Sequence, residues 1–326
     1  MGVVRNTVDE AGVIAFVFPG QGAQYAGMGR ELAQLYPEAA ETYARADRTL
    51  GFPLSAICWE GPDELLRQTE NTQPAILATS CAALAVLAAR DLTPDVTAGL
   101  SLGEYTALVA AGAMTMEEAL PLVRSRGRFM QEAAAGRRTA MAAILGLTPE
   151  MVREVCRAAS THGTVEPSNF NSPGQIVIAG DEAAVREGIT RAKAAGAKRA
   201  VLLPVSAPFH TSLMRPAAER LTPLLEALGF REAAVPVVSN VTAQTVRAPR
   251  EIRDALAAQV ASPVRWDDSV RTMAALGVRT FVEVGPGSSL SGLIRKTVAA
   301  AKVLRVEDRA TLEETLVQVV PEGRHA

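Results

Sequence analysis

Unbroken apolar runs and helical periodicities alternate along most of the chain. Val13-Ile14-Ala15-Phe16-Val17-Phe18 has no polar position, which marks a strand covered on both faces. It ends in Pro19-Gly20-Gln21-Gly22, a turn that glycine-rich backbone makes easily. Helical spacing follows from about Met28 to Leu50 and again from Gln73 to Arg90. Thr93-Pro94 breaks the second helix, and Val96 to Leu100 reads as a short strand. Ser101-Leu102-Gly103-Glu104-Tyr105 then opens a helix through Ala111. Another helix covers Glu117 to Ala135, with Thr115 as its cap.

The pattern changes at Gly136. Thr139 to Leu145 reads as a strand, Thr148-Pro149-Glu150 opens a helix, and strands follow at Val165–Phe170 and Gln175–Ala179. Asp181 is placed to cap a helix to Ala195, before a strand from Lys198 to Val205. This βαββαβ order is the ferredoxin-like arrangement, here a small subdomain at residues 136–206 inserted into a larger unit. The α/β pattern then resumes. Leu213–Leu228, Ile252–Val260 and Ser269–Ala275 are helical, while Val235–Ser239 and Thr280–Val284 are strands, the last ending in Gly285-Pro286-Gly287. Residues after Leu304 read as peripheral. The expected class is α/β: a large α/β-hydrolase-like subdomain with a short parallel sheet, built from residues 1–135 and 207–326, plus the inserted ferredoxin-like piece.

Composition narrows the functions. Apolar residues make up 48% of the 326 and charged residues 21%, as in ordinary soluble globular proteins. A net charge of −2 argues against nucleic acid as a partner. Cys58, Cys81 and Cys156 are far apart, lack metal-ligand spacing, and fit buried thiols in a reducing compartment. Residues 1–12 show no signal-peptide pattern, and the apolar stretch Ala75–Ala89 is too short to span a bilayer. A cytoplasmic protein without a membrane partner is expected.

Gly99-Leu100-Ser101-Leu102-Gly103 is a G-x-S-x-G sequence between an expected strand and an expected helix, the context of a nucleophile elbow. The alternative is a glycine-flanked serine in a tight turn. A serine nucleophile needs a base, and histidine suits neutral pH. Of the three histidines, His162 lies in a polar loop of the insertion and His325 in the tail. His210 lies where the chain returns from the insertion to the main unit, a junction of the kind that lines clefts, and so leads as base. No aspartate is an obvious third member. On the helix from Glu117, Leu120, Val123, Gly127, Met130 and Ala134 form one face, flanked by Arg124 and Arg126. Spacing leaves both arginines open, either as an anion-binding group or as a solvated charge. Glu117-Glu118 reads as helix N-terminal charge, and Gly20-Gln21-Gly22 lacks the Gly-Lys-Ser/Thr of a phosphate loop.

Taken together, Phe18-Pro19-Gly20-Gln21-Gly22-Ala23-Gln24, Gly99 to Tyr105, Arg126-Gly127 with Met130-Gln131, Ala207-Pro208-Phe209-His210 and Glu283 to Gly287 are specific. From Phe16 to about Lys296 the chain resembles bacterial malonyl-CoA:acyl carrier protein transacylases and the related acyltransferases of polyketide synthases. The resemblance implies that Ser101 carries the acyl group and His210 is its base. It implies that Gln21 and Leu102 supply the oxyanion-hole N–H groups, and it chooses Arg126 for the malonyl carboxylate. Gln259 would offer its main-chain carbonyl to His210, and Phe209 would limit space for a branched acyl chain. The implied reaction is a ping-pong transfer, in fatty acid or polyketide synthesis, by a monomer without metal or redox cofactor. Its partners would be malonyl-CoA and an acyl carrier protein. The family usually has histidine before the nucleophile, and Leu100 stands there, a change that bears on pocket polarity and so on acyl selectivity or rate. Two rival readings share the scaffold: a thioester hydrolase and a non-catalytic docking module.

Overall fold

The computed structural model describes residues 12–205 and 207–319. The first strand, β1 (Val13–Phe18), sends Ile14, Phe16 and Phe18 into one core and Ala15 and Val17 into another, which is why its sequence has no polar face. Where the periodicity predicts a single helix from Met28, two form: α1 (Arg30–Leu35) and α2 (Pro37–Leu50). Pro37 holds Tyr36 in extended backbone and splits them. Two short helices, α3 (Leu54–Glu60) and α4 (Asp63–Leu66), lie where the pattern predicted none. Helix α5 (Thr69–Ala88) starts earlier than expected. It is long and apolar enough to cross a bilayer, but 83% of its apolar window is buried inside the protein, as in a core helix. β2 (Val96–Gly99), α6 (Gly103–Ala110) and α7 (Met116–Ala133) complete this part. Thr115 and Glu118 close a capping box on α7, so Glu118 is helix-end charge as expected, and Glu117 pairs with Arg45.

Next come β3 (Thr139–Leu145), α8 (Pro149–Ala159), β4 (Val165–Ser172), β5 (Gln175–Asp181), α9 (Glu182–Ala194) and β6 (Arg199–Leu202). These four strands lie in the order β4-β5-β3-β6 and every pair is antiparallel. The two helices bury Val152 and Val185 against Ile144 and Ile178. Asp181 precedes α9 but does not cap it. Its carboxylate instead accepts from the Thr164 N–H at 2.8 Å and pairs with Arg137.

The chain continues through α10 (Arg215–Ala227), β7 (Val237–Val238), β8 (Thr245–Val246), α11 (Pro249–Gln259), α12 (Trp266–Ala275), β9 (Val278–Val284), α13 (Ser289–Thr297), β10 (Lys302–Val306) and α14 (Arg309–Val319). β7 is shorter than Val235–Ser239, because Pro236 has no N–H to give a ladder. The residues after Leu304 are not peripheral. β10 pairs with β9 along its length and buries Leu304 and Val306.

The six strands of the larger sheet lie in the order β10-β9-β1-β2-β7-β8, parallel except for the edge pair β7–β8. The fold is mixed α/β with helices packed on a largely parallel sheet. Strands β1, β2, β7 and β9 therefore end on one side, where ligands of such sheets bind. Their carboxyl ends lead into Pro19–Gln21, Leu100–Ser101, Ser239–Asn240 and Gly285–Gly287. The small sheet is fastened beside them. Val264 bonds Ser168 and Phe170 of β4 through its backbone, and the Glu166 carboxylate accepts from Ser212 N–H and Oγ–H.

Candidate active site

The chain leaves β2 at Gly99 and enters α6 at Gly103, so the turn must reverse within three residues. Two glycines allow it. A Cβ on Gly99 would lie 1.9 Å from the Gly103 carbonyl carbon, and one on Gly103 would lie 2.1 Å from the Phe18 oxygen. Ser101 sits between them in the left-handed region, at φ 54°. A buried side chain holds it there: Asn240 Oδ1 accepts from the Ser101 N–H at 2.6 Å, and Asn240 Nδ2 donates to the Gly99 carbonyl at 2.7 Å.

His210 Nε2 lies 2.7 Å from Ser101 Oγ, and its Nδ1 lies 2.9 Å from the Gln259 carbonyl oxygen. A carbonyl only accepts, so Nδ1 carries the proton and Nε2 is free to accept from the serine. Burial, reinforced by the nearby Arg126 charge, pushes His210 from 6.5 down to about 4, so the ring is neutral at pH 7.

Arg126 enters the same site from α7 and is 1% exposed. Nη1 donates to Gln73 Oε1 at 2.8 Å, and Nη2 donates to Gln259 Oε1 at 2.9 Å and to Ser101 Oγ at 3.0 Å. Its Nε meets no hydrogen-bond partner among the described residues. The guanidinium lies over the Tyr105 ring and makes no ion pair among the described residues. Arg124, the other arginine flanking the apolar stripe, turns away and stacks 4.5 Å over the Phe52 ring. The Gln259 side chain joins the elbow as well, its Nε2 donating to the Ser101 carbonyl at 2.9 Å and to Glu104 Oε2 at 2.6 Å. Glu104 also accepts from the Asn240 N–H, and burial pushes its carboxyl up to about 7.

These groups open on a cleft of 1240 Å³ between the two sheets. Gln21, Leu102 and Leu100 line it near Ser101, and Asn169 and Val177 line its far wall. No acceptor among the described residues meets the Gln21 or Leu102 backbone N–H. Phe209 lines the cleft too and packs on Met141, Val177 and Ala179 of the small sheet. All seven residues singled out from the sequence thus border one site. His162 is exposed in the turn Ser160–His162, away from it, and His325 lies outside the described residues. The three cysteines are buried and unpaired. Sequence reasoning missed Asn240, Gln73 and the part played by Glu104. The only signal for Asn240 was a polar pair, Ser239-Asn240, directly after a strand of the parallel sheet.

The acyl transferase domain family matches residues 15–316. The malonyl CoA-acyl carrier protein transacylase of Bacillus subtilis is 46% identical over 314 residues, covering 96% of this chain and 99% of that protein. The enzyme of the same description from Escherichia coli K12 is 47% identical, covering 87% and 92%. An acyl carrier protein S-malonyltransferase structure from Vibrio cholerae superposes with a TM-score of 0.90 at 45% identity, covering 93% of this chain and 99% of that one. A malonyl-transacylase solved in complex with a type II PKS acyl-carrier protein superposes at 0.91 with 43% identity and the same coverage.

Proposed function

The chain belongs to the acyl transferase domain family, among the malonyl CoA-acyl carrier protein transacylases, and we propose that within it Ser101 carries the malonyl group between coenzyme A and the carrier. The reaction moves malonyl from coenzyme A to the thiol of an acyl carrier protein. The observation that carries the assignment is the contact of Ser101 Oγ with His210 Nε2 at 2.7 Å, with Nδ1 held by the Gln259 carbonyl.

In the first half-reaction His210 Nε2 takes the Ser101 proton as Oγ attacks the thioester carbonyl. The Gln21 and Leu102 N–H groups receive the developing oxyanion. The C–S bond breaks, coenzyme A leaves with the proton from His210, and a malonyl-Ser101 ester remains. In the second half the carrier's phosphopantetheine thiol gives its proton to His210 and attacks the ester, and Ser101 recovers the proton. The Gln259 carbonyl steadies the imidazolium between these transfers, as a carboxylate does in a Ser-His-Asp triad. Every proton passes among Ser101, His210 and the thiols, so no step calls on a metal or redox cofactor.

Arg126 receives the malonyl carboxylate. A planar guanidinium can bind both oxygens, and an acyl group without a carboxylate leaves this buried cation unpaired, which favours malonyl. Phe209 crowds the acyl chain, a contact worth about 1–3 kcal/mol against a branched substituent. The partition into an α/β-hydrolase-like unit (1–135 and 207–326) and a ferredoxin-like one (136–206) is supported by the two sheets and the β4-β5-β3-β6 order. Action as a cytoplasmic monomer rests on the sequence alone.

Mass spectrometry after mixing with malonyl-CoA tests the assignment. A malonyl adduct on the Ser101 peptide, absent from Ser101→Ala, is expected. An active preparation with no adduct, or with one elsewhere, overturns it. Free malonate released in place of loaded carrier would identify a hydrolase.

A further inference from the structure

Among the described residues Arg126 is a buried cation without a direct counter-charge, an arrangement that is costly unless an anion lies within reach. One lies at one remove. The Gln259 amide sits between Arg126 and buried Glu104, its Oε1 accepting from the guanidinium at 2.9 Å and its Nε2 donating to the carboxylate at 2.6 Å. The amide oxygen thus faces the cation and its N–H faces the anion. Turning the amide over would set NH2 against guanidinium and C=O against carboxylate, and would release the bond to the Ser101 carbonyl. A direct Glu104–Arg126 ion pair would occupy the guanidinium. The relay leaves Arg126 Nε without a hydrogen-bond partner among the described residues and Nη2 beside Ser101.

We infer that Glu104 is a positioning residue for acyl selectivity: through the Gln259 amide it balances Arg126 without occupying it, keeping the guanidinium set for a carboxylate-bearing acyl group. The inference rests on Arg126 receiving the malonyl carboxylate. Burial raises the Glu104 carboxyl to about 7 while its bonds from Gln259 and Asn240 and the Arg126 charge oppose the rise, so the anion is present on the alkaline side of neutrality.

The test is transfer from malonyl-CoA and acetyl-CoA to a carrier protein at about pH 8, with wild type, Glu104→Gln, Arg126→Ala and the double variant. Glu104→Gln keeps the size and an acceptor but removes the charge. Its kcat/KM for malonyl should fall about tenfold more than for acetyl, chiefly through KM. In the Arg126→Ala background the same change should alter the malonyl-to-acetyl ratio less than about twofold. Equal losses with both substrates, or an equal ratio change in both backgrounds, would overturn the role of Glu104. An Arg126→Ala variant that loses both activities equally would overturn the carboxylate role of Arg126 instead. Should Glu104→Gln give no cooperative melt, Glu104→Asp replaces it. With the charge kept, the malonyl preference should stay within about threefold of wild type, and a tenfold loss would refute the proposal.

Discussion

Replacing Asn240 by Ala should unfasten the nucleophile elbow while leaving every reacting atom in the chain. The Asn240 side chain is fully buried and meets both sides of Ser101, accepting from its N–H at 2.6 Å and donating to the Gly99 carbonyl at 2.7 Å. Alanine leaves both backbone groups without this partner, the Gly99 carbonyl buried and the Ser101 N–H partly buried. Each orphaned group costs about 1–3 kcal/mol, so the pair should cost about 2–6 kcal/mol. Natural domains are stable by roughly 5–15 kcal/mol, which leaves the variant folded but easier to unfold.

The catalytic loss follows from backbone strain. Ser101 holds φ 54°, a region that costs a residue with a Cβ about 1–2 kcal/mol. Without the clamp the turn relaxes, and Oγ leaves its 2.7 Å contact with His210 Nε2. A displacement of about 1 Å is enough to cost roughly a hundredfold in rate. Urea unfolding followed by tryptophan fluorescence, with buried Trp266 as reporter, measures the stability term. Single-turnover acylation by malonyl-CoA measures the rate. Asn240→Asp keeps an acceptor for the Ser101 N–H but sets a buried carboxylate against the Gly99 carbonyl and beside Glu104, so it should be no more stable than alanine. An Asn240→Ala protein within about 0.5 kcal/mol and twofold of wild type would refute the clamp.

The other expectations concern packing and protons. Gly103→Ala places a Cβ 2.1 Å from the Phe18 backbone oxygen, where no side chain can yield, so soluble yield and Ser101 adduct should both fall; wild-type acylation would show that the elbow tolerates the atom. With acetyl-CoA, which carries no carboxylate, acylation should stay flat from about pH 8 to 5 and drop with a midpoint near 4, where His210 takes its proton; a midpoint of 6.5 would mean that the ring is not desolvated. Stability against pH should show two opposed terms. His210, lowered from 6.5 to about 4, binds its proton more readily when unfolded and makes stability rise with pH across that window; Glu104, raised from 4.5 to about 7, makes it fall as pH rises from 4.5 to 7, each by up to about 3 kcal/mol. Glu104→Gln removes the second term, so its stability should climb more steeply than wild type between pH 4 and 6.5 in urea titrations, and parallel curves would contradict the assignment.

What the sequence made legible followed from local rules. The apolar run of β1, the Thr115 and Thr148 caps and the whole of β3 depend on neighbours in the chain, and periodicity or capping chemistry reveals them. Elements failed where a distant partner or a single proline decides. β10 exists because β9 lies beside it, and nothing within Lys302–Val306 announces that edge. Tyr36 breaks a continuous helical pattern because of the residue that follows it.

The site divides along the same line. Ser101 stands in a turn whose geometry dictates its glycines, and His210 could be found by elimination because the chain has only three histidines. Their supports are buried polar side chains whose value lies across 136 to 158 residues of sequence: Asn240 with Glu104 and Ser101, Gln259 with Glu104 and Ser101. Burying an amide or a carboxyl is unfavourable until its partners are present, so composition and hydropathy count such residues as surface. In the fold they are the reverse. Gln259 satisfies four groups at once: the His210 ring, the Arg126 guanidinium, the Ser101 carbonyl and the Glu104 carboxylate. His210, Ser101 and Arg126 are therefore fixed relative to one another through one residue at the end of α11. A reading that seeks reactive groups one at a time finds Ser101 and His210, leaves Arg124 and Arg126 open, and reaches Gln259 only through the family resemblance.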